Sequence, residues 1–249
     1  MPTIKRHLLL FDIDGTLLVS GGAGEGALCD AMKARFGIEE DLAGVTLAGA
    51  TDALIARQLL EKHHLAISPE NVTSLLDGYL HELQGRLPRH DGRLLPGIVS
   101  LLDRLKARED CVVALLTGNL VRGAELKLSH YGVWDYFEFG AFADDHHDRN
   151  ALGGFAQSRA REKHGQEFSP ESISVIGDTP RDIECGRAIG ARTVAIATGT
   201  YSRDELAAHS PDLLFDDLSD TEAVVAALLK GGSLKAAATD PQERPGFQT

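Results

Sequence analysis

Asp12-Ile13-Asp14-Gly15-Thr16 places two carboxylates close together, directly after the apolar run from His7 to Phe11. Acids so close repel each other unless a cation sits between them or one holds a proton, so the pair points to metal-assisted or acid/base chemistry. An acidic turn at a strand end is the plainer alternative, and Asp-x-Asp alone also occurs in metal-dependent glycosyltransferases. Thr117-Gly118-Asn119 follows a second apolar run, Val112 to Leu116. It offers a hydroxyl, a flexible glycine and amides at a helix start, which suit a phosphate oxygen. Its ordinary role would be an N-cap. Gly177-Asp178-Thr179-Pro180-Arg181-Asp182 repeats the arrangement after Ile173 to Ile176. If a helix starts by Pro180, Asp178 and Asp182 approach one face of its first turn. Helix-dipole complementation accounts for one of these acids, whereas a divalent cation accounts for the whole set.

The elements that must position these groups are legible as apolar runs alternating with helical patterns. His7 to Phe11, Val112 to Leu116, Ile173 to Ile176 and Thr193 to Ile196 read as buried parallel strands, with Phe137 to Phe142 and Leu213 to Phe215 as weaker ones. Between them, Ile98, Leu101, Leu102 and Leu105 recur at helix spacing after Pro96-Gly97, and Ile183 to Ile189 is closed by Gly190. The fold class that follows is α/β, a doubly wound and mostly parallel sheet. Residues 18–92 break the alternation: they show helical periodicity and no strand, and predict an inserted helical domain between core segments 1–17 and 93–230. Its clearest helix starts at Ser68-Pro69-Glu70 and carries Val72, Leu75, Leu76, Tyr79, Leu80 and Leu83 on one stripe. Glycines at Gly21, Gly22 and Gly92 flank the insertion as a hinged unit needs. Residues 231–249 lack apolar periodicity and read as a disordered tail.

Composition narrows the function classes. The 249 residues are 43% hydrophobic and 25% charged, as a soluble globular chain is, and 37 acidic against 25 basic residues give a net charge of −12. With no basic block, that charge argues against a nucleic-acid partner. No apolar stretch approaches membrane-spanning length. Cys29, Cys111 and Cys185 form neither an even framework nor a Cys-x-x-Cys pair, which favours reduced thiols and a cytoplasmic location.

The order Asp-x-Asp-Gly-Thr, Thr-Gly-Asn, Gly-Asp-x-x-x-Asp, each closing a predicted strand and the first followed by a helical insertion, resembles the haloacid dehalogenase superfamily. The resemblance is to the phosphoglycolate phosphatase-like branch with a helical cap, and covers residues 7–230. It implies a Rossmann-like core and a Mg²⁺-dependent phosphatase acting on a small phosphorylated metabolite. By the same resemblance Asp12 is the nucleophile that forms an aspartyl-phosphate, and Asp14 is the general acid and base. Mg²⁺ is held by Asp12, the Asp14 carbonyl and Asp178, supported by Asp182, while Thr117, Gly118 and Asn119 bind the phosphoryl group. Asp14 disfavours the dehalogenase and phosphonatase branches, which typically lack that acid. A phosphomutase with the same core and a non-catalytic phospho-ligand binding protein are the alternatives.

Relatives usually carry a lysine followed by proline after the third core strand. Here that stretch reads Ala143-Asp144-Asp145-His146-His147-Asp148-Arg149-Asn150, so Arg149 is expected to supply the cation. Arg122 is its competitor, and Lys127 is expected to lie too far along its helix, at about 12 Å from the phosphate-binding end. The Asp144–Asp148 acids and histidines read as a solvated loop, His63-His64 as an exposed helix end, Gly22 to Gly26 as cap entry and Cys185 as a packing residue. Gly49-Ala50-Thr51-Asp52, at a predicted helix start, is expected to help select substrate. Neither the substrate nor the oligomeric state is legible.

Overall fold

A computed structural model describes residues 6–230, so the tail reading at 231–249 falls outside the described residues. In chain order the first half comprises β1 (His7–Phe11), β2 (Leu18–Val19), α1 (Ala23–Phe36), α2 (Asp52–Lys62), α3 (Pro69–Arg86), β3 (Arg93–Leu94) and α4 (Ile98–Lys106). Next come β4 (Cys111–Leu116), α5 (Val121–His130), β5 (Gly140–Ala141), α6 (Arg149–His164) and β6 (Ile173–Gly177). The chain continues through α7 (Pro180–Ala188), β7 (Arg192–Ile196), α8 (Arg203–Ala208), β8 (Leu213–Phe215) and α9 (Thr221–Leu229).

The main sheet has six parallel strands in the order β5-β4-β1-β6-β7-β8. Side chains alternate across it, as a strand buried on both faces requires. Leu9 and Phe11 pack with Ile98, Leu101 and Leu128 on one face, while Leu8 and Leu10 pack with Leu152, Ala156 and Cys185 on the other. Register decides where the chemistry emerges. Phe11 lies level with Leu115 and with Ile176, so Asp12, Thr117 and Asp178 leave their strands at one edge of the sheet. That carboxyl edge, where the order reverses around β1, is where open α/β sheets bind ligands.

Helices α1 to α3 form a layer with its own apolar cluster, including Leu59, Leu75 and Leu83, which also takes in Leu120 and Ala143 from the sheet side. Helix α3 begins as its sequence indicates: Ser68 Oγ accepts from Asn71 N at 3.2 Å, with Pro69 at the first position. One expectation fails inside 18–92, which was read as strandless. Leu18–Val19 pairs antiparallel with Arg93–Leu94, making a two-stranded ribbon at the base of the helical layer. A two-residue strand carries no periodicity; only its partner across the insertion defines it. Among the described residues no helix is long and apolar enough to cross a membrane.

Candidate active site

A cavity of about 640 Å³ opens between the sheet edge and the helical layer. Asp12, Asp14, Gly118, Asn119, Arg149 and Asp178 all line it. Thr117 and Asp182 stand just behind its wall. Thr117, wholly buried, accepts from the Asn119 side-chain amide at 2.9 Å. Asp182 accepts from the Thr179 amide and hydroxyl on one oxygen, at 3.0 and 2.7 Å, closing the capping box that starts α7.

Arg149 ties the acids together. Its Nη2 lies 2.8 Å from Asp12 Oδ1 and 2.5 Å from Asp182 Oδ1, and its side chain is 4% exposed. Asp178 accepts from Thr16 Oγ1 at 2.9 Å. Oxygens of Asp12, Asp178 and Asp182 lie within 4.8 Å of one another. Burial, opposed by Arg149 and reinforced by Asp182, pushes the Asp12 carboxyl up to about 6. Burial and the neighbouring acids Asp182 and Asp12 also hold Asp178 well above the usual carboxylate range. Three buried carboxylates against one guanidinium leave a charge that a hard cation with oxygen ligands would relieve. Small residues make the seat: a Cβ on Gly15 or Gly199 would come within 2.3 or 1.7 Å of Asp178 Oδ2.

Asp14 faces a second cation. Lys127 Nζ donates to Asp14 Oδ2 and to Asn119 Oδ1, both at 2.6 Å, and Asn119 Nδ2 donates to the same Asp14 oxygen at 2.8 Å. The expectation that Lys127 lies out of reach is therefore wrong. Helix α5 starts only at Val121, and Ala124, Lys127 and Leu128 share its buried face, so the lysine stem runs back along the helix to the sheet edge. That spacing, a lysine on an apolar stripe, was the signal available in the sequence. Arg122 instead points outward, 67% exposed and 3.3 Å from Asp77.

The amides expected free at the start of α5 are partly taken. Leu120 N donates to Asp52 Oδ2 at 2.8 Å and Val121 N to Asp144 Oδ2 at 2.7 Å. Asp144 is exposed, as expected of this loop, and in addition caps the first turn of α5. Asp145 is bound by Arg159 and the Phe142 amide, and Asp148 caps α6. His63 is half-buried and bonded to Glu40, not simply exposed. Gly22 is the N-cap of α1, and Cys185 is buried with its thiol on the Arg149 carbonyl.

The loop before α2 docks directly on the sheet edge. Asp52 N donates to Gly118 O at 2.7 Å, Thr51 Oγ1 to His147 O at 2.7 Å, and Arg149 Nη1 to Gly49 O at 3.3 Å. Gly118 permits this approach, since a Cβ there would lie 2.1 Å from Ala50 O.

Comparison with known proteins agrees with this architecture. The family model described as HAD-hydrolase-like matches residues 151–221. A phosphoglycolate phosphatase of Synechococcus elongatus is 30% identical over 227 residues, covering 89% of this chain and 98% of that protein. The probable phosphatase IndB of Dickeya dadantii is 26% identical over 235 residues, covering 90% and 96%. Among solved structures, CbbY from Rhodobacter sphaeroides in complex with phosphate superposes with a TM-score of 0.70 at 18% identity, covering 86% of this chain and 96% of that one. With that shared fold, and with 30% identity to one relative over nearly that relative's whole length, the chain belongs to the haloacid dehalogenase superfamily of hydrolases, in its phosphoglycolate phosphatase-like branch of phosphatases.

Proposed function

We propose that the protein is a cytoplasmic, Mg²⁺-dependent phosphatase that hydrolyses a small phosphomonoester through an aspartyl-phosphate on Asp12. The observation that carries this reading is the buried Asp12 carboxylate at the cavity floor, 2.8 Å from Arg149 and clustered with Asp178. A carboxylate attacks a phosphate dianion only where their repulsion is offset, and Arg149 is the cation in place to do so. The Asp12–phosphorus bond forms as the ester oxygen leaves. Asp14, held by Lys127 and Asn119, gives that oxygen a proton. It then takes one from the water that releases inorganic phosphate, so one carboxyl serves both half-reactions. Gly118 and Asn119 orient the phosphoryl oxygens, and Thr117 fixes Asn119.

The buried all-oxygen set suits Mg²⁺, which Asp12, Asp178 and the Asp14 carbonyl would hold, with Asp182 in support through Arg149. When bound, the ion supplies further charge neutralisation at the phosphoryl group. Residues 18–92 act as the cap that closes over the site through the Gly49–Asp52 stretch. Among the described residues Cys29, Cys111 and Cys185 form no disulfide, which fits a reducing compartment. Phosphate release from a panel of small esters tests the reading: turnover should require added Mg²⁺ and vanish in Asp12→Asn. Steady turnover by Asp12→Asn, or in excess chelator, rules the mechanism out.

A further inference from the structure

Beyond the phosphoryl end, the cavity wall comes from the helical layer. Leu28 of α1, Val45 and Leu47 of the following loop, and Ile55 of α2 line it, together with Ser20, the glycines that open α1 and one acid, Glu25. Among the described residues lining the cavity, the cations are Arg149 and Lys127. Both are committed. Arg149 pairs with Asp12 and Asp182. An ammonium has three N–H donors; those of Lys127 meet Asp14, Asn119 and the Tyr79 hydroxyl. Among the described residues, none of the helical layer's own bases lines the cavity: Lys33, Lys62 and Arg86 pair with Glu39, Glu40 and Asp30, and Arg35 and Arg57 also stand outside the lining.

From this wall we infer that the enzyme is selective for phosphate esters of uncharged alcohols with an apolar body, and discriminates against esters whose leaving group bears a carboxylate or a second phosphate. The inference rests on the phosphatase reading above. A carboxylate entering this half of the cavity would give up its hydration, meet aliphatic side chains, and find Glu25 in place of a basic side chain. A methylene chain in the same space is instead favoured, since it takes apolar surface out of water on both sides. The discrimination is therefore built by leaving one charge unpaired rather than by adding contacts to the accepted ester.

The test compares kcat/KM for matched pairs with Mg²⁺ present: 2-hydroxyethyl phosphate against phosphoglycolate, and n-butyl phosphate against the phosphate monoester of 4-hydroxybutanoate. The longer pair separates the charge from its inductive effect on the leaving oxygen. The uncharged ester should be preferred by roughly 10²-fold in the longer pair. Leu47→Arg, which places a base in the wall, should narrow that ratio; should this variant not fold, the wild-type ratios alone decide. Equal or greater kcat/KM for the carboxylated esters, with turnover still dependent on Asp12, overturns the selectivity and leaves the phosphatase reading standing. No phosphate release from any of the four esters removes both.

Discussion

Lys127 and Arg149 face different acids, so replacing each by methionine separates two parts of the reaction. Methionine keeps the apolar stem's bulk and removes the charge. In Lys127→Met, Asp14 loses its 2.6 Å donor and keeps Asn119. A hydrogen bond to a charged group contributes about 1.5–3 kcal/mol. Because the Asp14 side chain is 42% exposed, water replaces part of that contact. The loss then falls near the lower end, about 1.5–2 kcal/mol or roughly 10- to 30-fold in rate. It should fall on proton transfer, where Asp14 acts. Arg149→Met instead strands Asp12 and Asp182, 6% and 2% exposed at their side chains, beside each other. Breaking such a buried pair costs about 3–5 kcal/mol of stability, and removing the cation aimed at the transferring group should cost on the order of 10²- to 10³-fold in rate.

The assay is kcat/KM on 4-nitrophenyl phosphate, whose leaving group departs without a proton, and on n-butyl phosphate, which needs one. Circular dichroism melts check that each variant is folded. Lys127→Met should lose its roughly 10- to 30-fold on the alkyl ester and little on the aryl ester. Arg149→Met should lose equally on both. An equal loss for both esters in Lys127→Met refutes the link between this lysine and proton transfer by Asp14.

Two further substitutions probe the docked loop. Gly118→Ala puts a Cβ 2.1 Å from Ala50 O and should cost about 1–3 kcal/mol of stability together with a raised KM, read by thermal melts and steady-state kinetics. Wild-type values for both would show that the loop is not pressed on the sheet edge. Burial pushes Asp52 from 3.8 up to about 6, so the folded state favours its neutral form. That contribution is complete below pH 3.8 and is lost as pH rises through about 6. Asp52→Asn, which still accepts from Leu120 N, should gain on the wild type by about 3 kcal/mol between acid and neutral pH in denaturant titrations. A stability difference that does not change with pH contradicts the buried charge.

Much of the site was legible because strands buried on both faces read as apolar runs, and an acid ending such a run has nowhere to go but the sheet edge. Asp12, Asp178 and Gly118-Asn119 follow from that rule, and the parallel register then makes them neighbours. Ser68 as a cap and Thr179-Pro180 as a helix start are also local, since a cap bonds within its own first turn. What lies across the chain could not be read this way. The ribbon of Leu18–Val19 with Arg93–Leu94 exists only as a pair. Asp144 and Asp52 became caps of α5, a helix to which neither belongs. Lys127 was misjudged because helical rise gives the position of a Cα, while a four-carbon stem carries its charge back toward the helix start. Local sequence thus determined which groups reach the edge. Tertiary packing decided which cation faces which acid, because only the folded chain says where a long side chain finds its partner when water is excluded.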